Sequence, residues 1–143
     1  VSAPDFYFAV NATARHINDA YGMESLIDYW RSLGEEFYQK RCEKWRTGGL
    51  AEIAEDWRQY FLQEPGAVVE TSVDESAARL DIRVCPAIKH LRDSGREIVP
   101  YYCEHCDHTC GSMAETAGYR FSRTGGMGAC QQVFTKAEDS EGN

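Results

Sequence analysis

The stretch Pro65–Pro86, PGAVVETSVDESAARLDIRVCP, is where the apolar period of the chain changes, and that change decides the fold class. Val69, Thr71 and Val73 alternate with Glu70 and Ser72; Leu80, Ile82 and Val84 then alternate with Arg79, Asp81 and Arg83. A period of two sends successive side chains to opposite faces of a strand, so the stretch predicts a half-buried hairpin turning at Asp74-Glu75-Ser76. Cys85-Pro86 opens a short helix, because the N–H that proline lacks has no partner at the first helical position. Gly95 closes it.

Upstream the period is that of a helix, three times over. Phe6, Val10, Ala14, Ile17 and Tyr21 form a stripe up to Gly22. A second helix over about 23–46 carries Leu26, Trp30, Leu33, Phe37 and Trp45, and Gly48-Gly49 ends it. The third carries Leu50, Ile53, Ala54, Trp57, Tyr60 and Phe61 and stops at Pro65-Gly66. Downstream, a helix from about Val99 to Ala117 ends at Gly118, and Tyr119–Arg123 pairs with Cys130–Thr135 across Gly125-Gly126-Met127-Gly128. Three helices, a hairpin, two helices and a hairpin predict an α+β fold: a four-stranded antiparallel sheet with helices on one face. The expected organisation is a single domain over 1–143. It has a helical half (1–66), a hairpin–helix–hairpin half (67–136) and a disordered tail (137–143).

With 143 residues and a 43% apolar share the chain can bury a real core, since single domains cluster at roughly 100–150 residues. A formal charge of −8 speaks against a nucleic-acid partner, which needs a basic patch to displace counterions. The densest basic stretch, Lys40, Arg41, Lys44 and Arg46, is interleaved with Cys42, Glu43 and Trp45 and reads as a solvated helix face. No apolar run approaches the roughly 18 residues of a membrane span. Val1–Val10 contains Asp5 and no basic start, so it does not read as a secretory leader. Of six cysteines, three crowd into eight residues of a helix, poor geometry for mutual bridging; reduced thiols and a cytoplasmic setting are expected. A homo-oligomer or a partner subunit stays open.

The chemistry concentrates in Tyr102-Cys103-Glu104-His105-Cys106-Asp107-His108-Thr109-Cys110. At about 100° per residue, Cys103, Cys106 and Cys110 share a narrow arc with Val99, Met113, Ala114 and Ala117. His105 and His108, with Glu104, Ser112 and Glu115, point away, and Asp107 sits at the edge of the arc. Cys85 and Cys130 can approach the arc from the two hairpins. Three readings stand side by side. In the first the thiols are simply core, where free cysteine packs as a small hydrophobe. Cys103, Cys106 and Cys110 with Cys85 or Cys130 could ligate zinc or an iron–sulfur cluster. One of them could be a nucleophile activated by a nearby cation or base. On the helical angles, the base for a nucleophilic Cys103 is Asp107 or a group from another element rather than His105.

From Asp81 onward the order of residues resembles the L-2-amino-thiazoline-4-carboxylic acid hydrolase-like family. The matching pieces are Arg83-Val84-Cys85-Pro86, then Tyr102-Cys103 with Asp107 four residues on. Tyr119-Arg120-Phe121-Ser122-Arg123-Thr124 follows, then a glycine turn and Cys130 leading into Val133-Phe134. More distantly, the cysteine-bearing helix and glycine-turn hairpin resemble 4-vinyl-reductase-type ligand-binding domains. The resemblance implies a hydrolase opening a small sulfur- and nitrogen-containing ring. Cys103 would attack, His105 or His108 would move protons, and Arg120 or Arg123, with Thr124 and Tyr102, would bind substrate. A metal- or cluster-bearing module and a non-catalytic small-ligand-binding domain are the competing expectations.

Overall fold

A computed structural model describes residues 5–138. The elements, in order, are α1 (Asp5–Tyr21), α2 (Met23–Ser32), a π-helical turn (Leu33–Phe37), α3 (Gln39–Leu62), β1 (Val68–Val73), β2 (Ala77–Val84), α4 (Pro86–Asp93), α5 (Glu104–Ala117), β3 (Tyr119–Gly126) and β4 (Ala129–Lys136). The architecture is α+β. Most of the expected tail, 139–143, lies outside the described residues, as does 1–4 of the expected leader-free start.

Both hairpins form where the period of two places them, and they join through β2 and β4 into one antiparallel sheet of order β1-β2-β4-β3. Asp74 holds the first turn by accepting the backbone N–H groups of Ser76 and Ala77 at 2.7 and 2.9 Å. Register decides which side chains share a face. Leu80 opposes Gln132, Ala78 opposes Phe134 and Ile82 opposes Cys130; across the other seam, Phe121 opposes Phe134 and Arg123 opposes Gln132. Ala78, Leu80, Ile82, Phe121, Arg123, Cys130, Gln132 and Phe134 therefore lie on the inner face, toward the helices.

The core has two parts. One packs Trp45, Ile53, Trp57 and Phe61 of α3 and Cys110 and Met113 of α5 on Leu80, Ile82 and Phe134. The other joins Tyr7 and Ala14 of α1, Leu26 and Trp30 of α2 and Ile88 and Leu91 of α4 with Val99 and Tyr102.

Three helical expectations are corrected. The buried face of α1 is Tyr7, Asn11 and Ala14, whereas Phe6 is 46% and Tyr21 72% exposed. The stripe is rotated because Asn11 is a polar anchor: its side chain donates to the Glu97 carbonyl at 2.8 Å and accepts the Val99 N–H at 3.0 Å. The helix expected over 23–46 breaks into α2, the π-helical turn and the first leg of α3. At Gly34 a Cβ would come within 2.6 Å of Ser112 Oγ, so the glycine lets α5 press against the turn. Hydroxyls of α5 then take the neighbouring carbonyls, Thr109 donating to Trp30 at 3.3 Å and Ser112 to Arg31 at 2.7 Å. The expected break at Gly48-Gly49 is present: Gly49 leaves helical geometry at φ +78°, and α3 runs as two legs on either side of it. Finally, the helix expected from Val99 begins at Glu104. Pro100 disfavours helical geometry at Val99, and Tyr102 and Glu104 instead donate to carbonyls three residues back, in tight turns.

The basic stretch is less solvated than expected: Arg41 is half-buried, paired with Asp56 and laid over the Tyr38, Trp57 and Tyr60 rings.

Candidate functional site

Where the two core clusters meet, they leave a cavity. Its space open to the centre of a water-sized sphere is about 60 Å³, several times the ~10–15 Å³ that one water needs. The lining is almost wholly apolar and includes Cys85, Cys103, Cys106, Cys110 and Cys130. The structure thus brings all five singled-out thiols to one cavity, from three separate elements.

Each arrives for a local reason. Cys85 is the N-cap of α4, extended so that Pro86 can take the first helical position, and its N–H donates to the Gly128 carbonyl at 2.8 Å. That bond ties the end of β2 to the glycine turn. Cys130, two residues past the turn, faces inward by register. Cys103 is the N-cap of α5, and its φ/ψ of −71°/−16° continues the helical arc, so Cys103, Cys106 and Cys110 still share the sheet-facing side. All six cysteines are unbridged.

Burial helps to hold Cys85, Cys103, Cys106 and Cys130 protonated. It pushes Cys85 up to about 11 and Cys130 up to about 12, even though Cys85 gains the amides of Ile88 and Ala87 at the helix start. Cys106 is raised well above the ordinary value, first by its contact with Cys110 and then by burial, with His105 acting weakly the other way. Cys103 is also raised by burial, but it has two groups that favour its anion: the Met127 N–H, which donates to Sγ at 3.2 Å, and the Arg123 guanidinium. Gly126 makes this convergence possible. At φ +152°, a Cβ there would sit 2.9 Å from Arg123 Nη1 and 3.5 Å from Cys103 Sγ.

Arg123 is held firmly. Its Nε and Nη2 donate to the two oxygens of Asp107 at 2.7 and 2.8 Å, and Nη1 donates to the Gly125 carbonyl. Two expectations change with that geometry. Asp107, both of its oxygens engaged by Arg123, is not free to serve as the base for Cys103. Arg123, its nitrogens committed, is not a free clamp for a substrate carboxylate. Arg120 and Thr124 lie on the outer face of β3, exposed and outside the cavity lining. Tyr102 is buried and lines the cavity, its hydroxyl pushed far up by burial.

The histidines are not on a free surface, because α2 covers that side of α5. His108 stacks on the Trp30 ring, 6.0 Å between centroids and 10° between planes, and His105 meets the same ring nearly edge-on at 6.0 Å. His105 also lines the cavity, whereas His108 does not. Among the described residues no three His, Cys, Asp or Glu side chains are grouped to hold a metal ion. No helix among the described residues is long and apolar enough to cross a membrane.

Two contributors escape a sequence reading. Met127 acts through its backbone N–H, which no residue type announces. Gln132 lines the cavity and is legible in principle, as the one polar residue alternating inward between Cys130 and Phe134. No protein-family model matches this sequence, and no curated protein matches it either.

Proposed function

We propose that the chain is an enzyme that opens a small sulfur- and nitrogen-containing ring at a C–N or C–S bond, with Cys103 as nucleophile. The observation that carries this reading is the setting of Cys103: a thiol in a cavity wall, with a backbone N–H on its sulfur and an immobilised guanidinium beside it.

Because burial keeps the thiol protonated at neutral pH, it reacts by adding across a ring C=N bond. Sulfur bonds to carbon, the π pair moves to nitrogen, and nitrogen takes the thiol proton. The tetrahedral carbon then expels the ring sulfur or nitrogen, which leaves with the bonding pair and takes a proton from His105, the imidazole that lines the cavity. Water adds to the same carbon and returns a proton to His105. The added oxygen then forms a carbonyl as the bond to Cys103 breaks with its pair on sulfur, and the hydroxyl proton passes to that sulfur, which leaves as the thiol. The apolar lining favours an uncharged ring.

The test pairs labelling with turnover. Iodoacetamide at pH 7.5, read by peptide mass spectrometry, is expected to modify Cys103 first among the six cysteines. With 2-aminothiazoline as the probe, ring opening is expected in the wild type and a loss of at least about 100-fold in Cys103→Ala. Full turnover by Cys103→Ala removes the covalent route. A second reading, ring binding without chemistry, is favoured by the upward push on Cys85, Cys103, Cys106 and Cys130. Binding of the ring with no opening selects it.

A further inference from the structure

Gln132 is 1% exposed, yet its side chain reaches the cavity. Trp57 Nε1 donates to its Oε1 at 2.8 Å. An indole N–H can only donate, so the amide oxygen must face Trp57 and the amide nitrogen must face the other way. There Nε2 carries two N–H groups, and among the described residues its one partner is Cys130 Sγ at 3.9 Å. A protonated thiol at that distance is a weak acceptor. A buried donor pair is thus presented in an apolar, thiol-lined space with little to bond to, an arrangement costly in itself. A ligand acceptor would relieve it.

We infer that Gln132 is the specificity-determining residue of the cavity: it selects a ligand with an uncharged hydrogen-bond acceptor, a ring nitrogen or a carbonyl oxygen, over an isosteric ligand without one. The inference rests on the reading that the cavity takes a small ring. A site built to hydrogen-bond a ligand discriminates strongly against the analogue that leaves its buried groups unpaired. Arg123, directly opposite Gln132 in register, does not compete for the role, because its nitrogens are committed to Asp107 and Gly125.

Thiazole and thiophene make the experiment, since they are five-membered sulfur rings of matched shape and only thiazole has an in-plane nitrogen acceptor. Each is titrated into the ¹⁵N-labelled full chain, following the Trp57 indole and Gln132 side-chain amide signals. Thiazole is expected to bind about tenfold tighter, with the Gln132 amide protons shifting downfield. Gln132→Glu keeps an oxygen for Trp57 and nearly the same volume but replaces the donor with a second acceptor, so the preference should vanish or invert. Gln132→Met, which removes both polar atoms, should bind the two rings within about twofold of each other. Equal binding of the rings by the wild type, or binding of neither, overturns the inference. Neither ring is opened under these conditions, so the outcome is separate from that of the Cys103 test. Loss of the preference would leave rapid Cys103 labelling intact, and slow labelling of Cys103 would leave the thiazole preference intact.

Discussion

Arg41–Asp56 and Arg123–Asp107 join the same two residue types at 2.9 and 2.7 Å, yet their surroundings give them different work. Asp56 also accepts the Trp45 indole N–H at 2.7 Å, and the Arg41 guanidinium lies 5.2–5.6 Å from the centres of three aromatic rings. That pair clamps the two legs of α3 across the break at Gly49. The second pair ties α5 to β3 by two parallel bonds, and its nearest reactive neighbour is a thiol. What separates a staple from a fixed charge in a site is the third group: rings and an indole in one case, Cys103 in the other.

The comparison breaks most readily at Asp56. Its side chain is 13% exposed, and removing it leaves the half-buried Arg41 and the Trp45 N–H without their acceptor. Asp56→Ala is expected to cost about 3 kcal/mol in urea-unfolding stability, the scale of an uncompensated buried charge. The rate of Cys103 alkylation in the folded protein should stay within twofold of wild type. A large change in that rate would mean that the two pairs are not independent.

A smaller effect comes from pH and is largest on the cavity side. In the folded chain Cys85 and Cys130 hold their protons to about 11 and about 12, while the ordinary thiol value is 9.0. Between those values the unfolded chain binds fewer protons, so stability present in full below about pH 9 is lost as pH rises. At ~1.4 kcal/mol per pKa unit the two thiols together lose at most ~2.8 kcal/mol by pH 10, and roughly 2 kcal/mol once the partly exposed Cys130 is discounted for solvent screening. Urea midpoints at pH 7.5 and pH 10 measure it. The double variant Cys85→Ala, Cys130→Ala should reduce the difference, the remainder coming from the other raised thiols such as Cys106, whereas Asp56→Ala should keep it.

The contrast between the two pairs also marks what a sequence reveals. Strand alternation was readable in β2, where a period of two turns Leu80 and Ile82 inward, but β1 at the sheet edge leaves Thr71 and Val73 exposed; Cys130 was expected only to approach the thiols, and its inward face follows from its register with Ile82. The sulfur arc of α5 was readable for the same reason, since spacings of three and four fix a helix face. What stayed hidden depends on groups that meet only in space. Asn11 turned α1 by bonding to a segment 86 residues away, and Gly34 broke a helix that its own sequence continued, because α5 pressed against it. Asp107 was readable as a neighbour of Cys103 but not as the partner of Arg123, sixteen residues on and in another element. His105 and His108 were read as facing away from the thiols, and the angles were right. That α2 brings Trp30 over that side is a tertiary fact.

The finest test acts on the second pair itself. Arg123 favours the Cys103 anion and Asp107 opposes it, so removing one or the other should move the thiol in opposite directions. Arg123→Met deletes the cation and leaves a carboxylate near the sulfur; Cys103 becomes less acidic, and alkylation at pH 7.5 should slow roughly tenfold, the consequence of one pKa unit. Asp107→Asn leaves the guanidinium with one good acceptor fewer and its charge unbalanced, so the same reaction should quicken several-fold. Because Asp107 is about a third exposed, each change should cost only about 1 kcal/mol in stability, well below Asp56→Ala. The opposite signs are the diagnostic, since loosening the α5–β3 contact would expose Cys103 in both variants and quicken both. Equal shifts in the two variants would make this pair a staple like the one on α3, and the charge beside Cys103 would lose its chemical role.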